Sequence, residues 1–385
     1  MKNVIWKILS YVLVAAVAAV TTLLCCVIDQ QKNRTKLDEL TMVLENYFIG
    51  DYDRAALEDA AANAMVEALG DRWSYYMNAE DYKAQQEYMS NSYVGIGITV
   101  QSREDGRGID VLEVLEGGPA KEAGLQPGDY IIAVGETSVA GMDLDSCSNL
   151  IRGDEGTTVT LTVMRGEEKK TFTVERRRFD SVVATYELLE GNVGLVTIEN
   201  FDSRCADETI AAIEAVIGEG ATSLIFDVRN NPGGYKDELV EVLDYLLPEG
   251  EIFRTEDYLG RVETEQSDAA CLEMPMAVLV NLNSYSAAEF FAAALNDYDA
   301  AIVVGEKTYG KGYFQSAIPL GDGSAVNLSI GKYYTPKGQS LAGVGLTPEV
   351  EVIVDDETAT AIYYGTLAPE EDPQIQAALD ALQAG

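Results

Sequence analysis

The apolar positions change their spacing four times along the chain. From Ile8 to Ile28 they form a run without a charge, bounded by Lys7 and Asp29. As a helix this run would be about 32 Å long, enough to span a bilayer, and it lacks the short apolar core and small-residue ending of a cleaved signal. A single-pass anchor over 8–28 is expected, with a cytoplasmic head over 1–7 and an extracytoplasmic body at the cell membrane. Spacings of three and four follow, through Leu37, Leu40, Val43, Leu44 and Tyr47, then Leu57, Ala61, Met65, Val66 and Leu69, and predict a helical region over 34–90.

Short apolar runs between glycine turns come next: Val94–Val100, Ile109–Val114, Tyr130–Val134 and Thr158–Val163. They predict a β-rich module over 91–178. Beyond it, strands Val193–Ile198, Ser223–Val228, Met276–Asn281 and Ala301–Val304 alternate with helices Ala206–Glu219, Lys236–Leu247 and Ala287–Leu295. Such alternation predicts an α/β core over 179–354. Residues 355–385 read as an acidic tail with a short helix, Pro373–Leu382. The fold class is thus α/β and multidomain.

Composition narrows the chemistry. Lys and Arg total 27 against 64 Asp and Glu, a net charge of -37, which repels phosphate backbones and argues against a nucleic-acid partner. The chain has no histidine. Ser-His-Asp triads, Cys-His pairs and His-ligated zinc are therefore excluded, and a hydrolytic base must be Lys, Asp, Glu or Tyr. The five cysteines show no metal-ligand spacing and no disulfide framework. No metal or cofactor is expected.

Three segments carry candidate chemistry. Ala277–Glu289 reads as a buried strand, a sharp turn and a helix starting near Ser286, where free N–H groups at a helix N-terminus suit an oxyanion; serine is equally a good N-cap. Asn230-Asn231-Pro232-Gly233-Gly234 after Ser223–Val228 lets backbone amides approach a ligand, or is a plain turn. Lys311 stands between Gly310 and Gly312, as a base in a tight site or as a turn lysine. Trp73, Tyr75, Tyr76 and Met77 form an aromatic cluster assigned to packing.

Together these segments resemble the C-terminal processing peptidases, or tail-specific proteases, a family with a Ser-Lys dyad and a PDZ domain. The family's strand-turn motif matches Ser284-Tyr285-Ser286-Ala287-Ala288-Glu289, its nucleophile falling on Ser286 and its Gly-Lys-Gly base on Lys311. The resemblance implies Gln315 as the group orienting the base, Asp297 and Glu289 as supporting residues, and an oxyanion hole from the amides of Gly233 or Gly234 with Ala287. Gly118–Asp129 resembles the most recognisable stretch of a PDZ domain, with Gly95, Ile96, Gly97 and Ile98 at the loop and strand that capture a C-terminus. Tyr333–Ser340 and Gly345–Val350 also match, so the resemblance covers about residues 36–354.

Tyr285, Asn283 and Ala288 depart from the family's commoner residues, and a bulky Tyr285 bears on which peptide fits. The expected partners are proteins or peptides with free C-termini and the membrane. A homo-oligomer is compatible with this reading, without a fixed subunit count. The alternative function is a non-catalytic PDZ adaptor or scaffold at the membrane.

Overall fold

The computed structural model describes residues 6, 14–22, 35–103, 105–115 and 117–384. The expected anchor over 8–28 lies largely outside the described residues; 14–22 are helical, and no helix among the described residues is long and apolar enough to cross a membrane. The chain divides into two units, 1–61 and 62–385. In the first, helix Lys36–Tyr47 opens with a capping box in which Thr35 and Asp38 satisfy each other's backbone N–H groups.

In the second unit, the PDZ module is an antiparallel sheet ordered Ile98–Ser102, Ile109–Val114, Tyr130–Val134, Thr158–Arg165, Glu168–Glu175. Inward-facing Ile109, Val111, Ile131, Leu161 and Val163 close its core with Ile96, Leu125 and Cys147. Fully buried Asp129 is paired by Arg165 at 2.6 and 2.8 Å, a fork that satisfies both oxygens. Strands Ser92–Gly95 and Arg177–Asp180 pair antiparallel, bringing the two ends of the module together.

The α/β core is a six-stranded sheet ordered Ala184–Leu189, Val193–Ile198, Ser223–Asp227, Met276–Val280, Ala301–Gly305, Val350–Glu351, all parallel except the first pair. Its central strands are near-continuous apolar runs because both faces are covered. Helices Cys205–Gly218, Lys236–Leu246 and Ala287–Asp297 pack on one face. Helix Pro373–Ala384 covers the other through Ile375 and Ala378.

The region read as an acidic tail is thus partly core. Arg229, 4% exposed, pairs with Asp372 at 2.8 Å and bonds Gln374, pinning the last helix to the sheet's C-terminal edge. The helical reading of 34–90 also needs correcting. Tyr75–Met77 is a strand, paired with Ala325–Asn327 in a second sheet that carries Tyr313–Pro319, Gly250–Asp257 and Val262–Ser267. Two successive tyrosines favour a pleated, half-buried surface over a helix.

Candidate active site

Strand Met276–Val280 is wholly buried and runs into a turn wired by side chains. Ser284 Oγ donates to Val228 O at 2.7 Å and accepts Asn281 N at 3.0 Å, while Asn281 Oδ1 accepts the Asn230 amide at 3.0 Å. The turn delivers Ser286 at φ 59, ψ -122, a conformation that costs a non-glycine residue about 1–3 kcal/mol. Ser286 stands at the N-cap of helix Ala287–Asp297, yet its side chain makes no capping bond. The capping alternative is therefore set aside, and the hydroxyl is held at a helix N-terminus without serving the helix.

Gly233 abuts this serine. A Cβ on it would lie 2.7 Å from Ser286 Cβ and 2.8 Å from Ala287 N, and its φ is +88. Its N–H donates to Oδ1 of fully buried Asn231 at 2.8 Å, and Asn231 Nδ2 donates to Ile198 O at 2.7 Å. Among the described residues the Gly234 and Ala287 amides have no acceptor. Of the three amides expected to face an oxyanion, Gly233 is already engaged, and Gly234 and Ala287 are free.

Lys311 arrives on the loop between strands Ala301–Gly305 and Tyr313–Pro319. Both flanking glycines are required: a Cβ on Gly310 would be 2.8 Å from Gly345 N, and one on Gly312 would be 2.2 Å from Ala342 N. Fully buried Glu289 holds the loop, accepting Lys311 N at 2.6 Å, Gly310 N at 2.7 Å and Thr308 Oγ1 at 3.0 Å. Burial raises the Glu289 carboxyl even so, because desolvation outweighs the hydrogen bonds.

The Lys311 amine lies 4.6 Å from the Trp73 ring centre and 5.9 Å from that of Tyr285. Trp73, Tyr285 and Tyr309 pack on one another with centres 5.5–6.2 Å apart, and the Arg72 guanidinium stacks on Trp73 and Tyr309 at 4.8 and 4.6 Å. Burial in this box lowers Lys311 to about 8, against the opposing pull of the Glu289 charge. No hydrogen bond joins Lys311 Nζ to Ser286 Oγ among the described residues. Tyr333, 3% exposed, bridges the two segments. Its hydroxyl accepts Gly312 N at 2.9 Å, lies 3.5 Å from Glu289 Oε1 and faces the Ser286 hydroxyl.

Two expected site residues make other bonds in this structure. Gln315 Nε2 bonds Tyr313 O and Ser329 Oγ, both at 3.2 Å, and does not hold Lys311. A register shift between Phe314 and Gln315 sets this side chain opposite Ser329. Asp297 ends the helix that Ser286 opens and accepts Lys337 N at 2.8 Å; eleven residues from Ser286, it is about 16 Å along the helix from that serine. Trp73, Tyr309 and Tyr333 are at the site instead. Trp73 was visible only as an aromatic cluster, with nothing local tying it to Lys311.

In the PDZ module, the Gly97 and Ile96 carbonyls accept Leu115 N and Ala120 N at 3.1 and 2.8 Å. The Ile96 and Gly97 N–H groups have no acceptor among the described residues. The following strand, Ile98–Ser102, is the sheet's edge, and Ile98 and Val100 share an apolar cluster with Leu144 of helix Leu144–Ile151. Free amides at the mouth of an edge strand beside an apolar helix suit a peptide carboxylate and its last side chain.

Comparison with known proteins agrees with this architecture. Residues 192–352 match peptidase family S41 and residues 94–175 match the PDZ domain. The chain is 34% identical over 328 residues to "Probable CtpA-like serine protease" of Staphylococcus epidermidis, covering 84% of this chain and 66% of that one. The Staphylococcus aureus (strain COL) protein of the same name is 34% identical over 326 residues, 84% and 65%. Among solved structures, the photosystem II D1 C-terminal processing protease superposes with a TM-score of 0.52 at 26% identity, over 89% of this chain and 93% of its own. A PDZ module joined to an α/β core with a serine at its strand-turn-helix and a desolvated lysine on the loop held by the same helix's Glu289 places the chain in the C-terminal processing peptidases of peptidase family S41.

Proposed function

We propose that the chain is a membrane-anchored serine endopeptidase that takes substrate C-termini on its PDZ module and cleaves peptide bonds with Ser286 and Lys311. The observation that carries this reading is Ser286 itself: a strained residue at a helix N-terminus whose hydroxyl caps nothing, beside a lysine lowered to about 8.

In the reaction, neutral Lys311 takes the proton of Ser286 Oγ as the oxygen attacks the peptide carbonyl. The amides of Ala287 and Gly234 stabilise the oxyanion, with the helix N-terminus behind them. The lysinium returns its proton to the leaving amine. Water then attacks the acyl-enzyme, again giving up a proton to Lys311; the ester bond to Ser286 Oγ breaks, the lysinium returns the proton to Oγ, and the carboxylic product leaves. The step requires the amine to move from the Trp73 face to Ser286, so the arrangement described above is a resting one; catalytic hydrogen bonds often close only with substrate bound. Membrane attachment rests on the uncharged run Ile8–Ile28.

The test is digestion of an unfolded protein with an apolar C-terminus, which should cease in both Ser286→Ala and Lys311→Ala. Full activity in either variant removes the dyad, and tail binding without any cleavage by the wild-type chain would make it an adaptor. Recovery of the intact chain solely in the soluble fraction would remove the anchor.

A further inference from the structure

The segment Glu199–Ser203 crosses beside the nucleophile. On one flank Phe201 N donates to Gly233 O at 2.8 Å and Tyr235 N to Phe201 O at 2.7 Å, tying it to the glycine turn that touches Ser286. A Cβ on Gly234 would lie 2.5 Å from Asp202 N, so Asp202 is adjacent to that turn. On the other flank Ser203 N donates to Met89 O at 3.2 Å and Asn200 pairs with Asn91 at 3.0 Å. Asp202 therefore lies between the turn that borders the nucleophile and the segment carrying Tyr88.

Asp202 is 3% exposed, and among the described residues its carboxylate has neither a hydrogen-bond donor nor a cationic partner. The residue as a whole is buried, yet its unpaired oxygens still reach solvent, which leaves the charge open to a ligand. Nearby Glu238 offers no relief, being a second acid occupied in accepting Arg204 N and Ala206 N. Burial and the Glu238 charge hold the Asp202 carboxyl at about 7. Its charge reaches the phenols of Tyr88, Tyr93, Tyr235 and Tyr285. Tyr88 and Tyr235 remain 51% and 41% exposed, and Tyr285 directly precedes the nucleophile.

We propose that Asp202 is the acidic floor of a subsite for a lysine or arginine side chain next to the scissile bond. The inference rests on the peptidase reading above and adds its substrate class. The carboxylate supplies the charge partner, while tyrosine faces accept the aliphatic stem and the cationic head. An apolar side chain of equal length would leave Asp202 buried and unpaired, so the site discriminates through the cost of that state.

The test uses the full chain and matched fluorogenic peptides in which one residue, lysine, norleucine or glutamate, is moved across the positions flanking the bond. At one position the wild-type kcat/KM for lysine should exceed that for norleucine about tenfold or more, with glutamate slowest. Asp202→Asn and Asp202→Ser, each checked for folding by thermal melting, should bring the lysine-to-norleucine ratio close to one. Equal wild-type rates at every position overturn the inference, as does a ratio unchanged in folded variants, and both leave the peptidase reading standing. Absence of any Ser286-dependent cleavage overturns that reading and this one with it.

Discussion

The Glu289 carboxylate accepts the backbone amide of Lys311 at 2.6 Å, and Glu289 stands three residues after Ser286 on one helix. The loop that carries Lys311 is therefore held to the helix that Ser286 opens by a single buried side chain near the start of that helix. Tyr333 reinforces it, its hydroxyl accepting Gly312 N on the lysine loop while facing Ser286.

Glu289→Ala leaves the Gly310 and Lys311 N–H groups and the Thr308 hydroxyl without their acceptor. At about 1–3 kcal/mol for each buried unsatisfied group, the expected loss is about 3 kcal/mol or more in urea unfolding. Peptidase activity should fall about a hundredfold even where the variant is folded, because the lysine loop is released. A folded Glu289→Ala enzyme with near-normal kcat would remove this coupling from the account.

The pH dependence follows from Lys311. The amine acts as a base only when neutral, and burial lowers it to about 8. Below that value the neutral fraction falls tenfold for each pH unit, so log kcat/KM on a neutral peptide should climb with a slope near one and level off above about pH 8. With no histidine in the chain, no imidazole can supply this limb. A flat profile between pH 6 and 8 would contradict a lysine base.

Trp73 is the aromatic ring nearest that amine among the described residues, its centre 4.6 Å from Lys311 Nζ. Trp73→Ala should admit water and let the lysine climb toward its ordinary value of 10.5. The limb should then move to higher pH by about one unit, with about a tenfold loss at pH 7 and little change on the alkaline plateau. Trp73→Phe should retain most of the shift. An unmoved midpoint in Trp73→Ala would show that other groups desolvate Lys311.

How much of this was legible in the sequence depended on how local each signal was. Ser286 and Lys311 sit in short local patterns, a buried strand breaking into a helix and a lysine between glycines, which alone left a helix cap and a turn lysine open; the family resemblance chose between the readings. The core strands were legible from patterns of a few residues. Trp73 was not, since it reaches the site through Tyr75–Met77 pairing with Ala325–Asn327, a contact across some 250 residues that no spacing encodes. Gln315 and Asp297 were placed by resemblance alone; a bulge turns the first toward Ser329, and helix length sets the second at the end away from Ser286. The last helix was read from the sequence as Pro373–Leu382, but as part of an acidic tail; its role in the core, through buried Ile375 and Ala378, was not legible. The free Asp202 carboxyl had no sequence signal at all, because being unpaired is a property of the folded surroundings.

Gly233 offers a test of the turn that separates local strain from damage to the site. Its φ is +88, and a Cβ there would meet Ser286 Cβ at 2.7 Å and Ala287 N at 2.8 Å. Gly260 also has a positive φ, +75, but nothing lies within 4 Å of a Cβ placed on it. Alanine at either position incurs about 1–2 kcal/mol of left-handed backbone cost. Gly260→Ala should therefore lower stability by about that amount and leave kcat/KM within a factor of two. Gly233→Ala carries the same cost plus the displacement of the nucleophile or of an oxyanion amide, and misplacement of about 1 Å at a reacting group costs about a hundredfold. Matched melting curves and peptide assays on the two variants would decide it. Equal activity in both would mean that the Asn231–Gly234 turn does not border the reacting atoms.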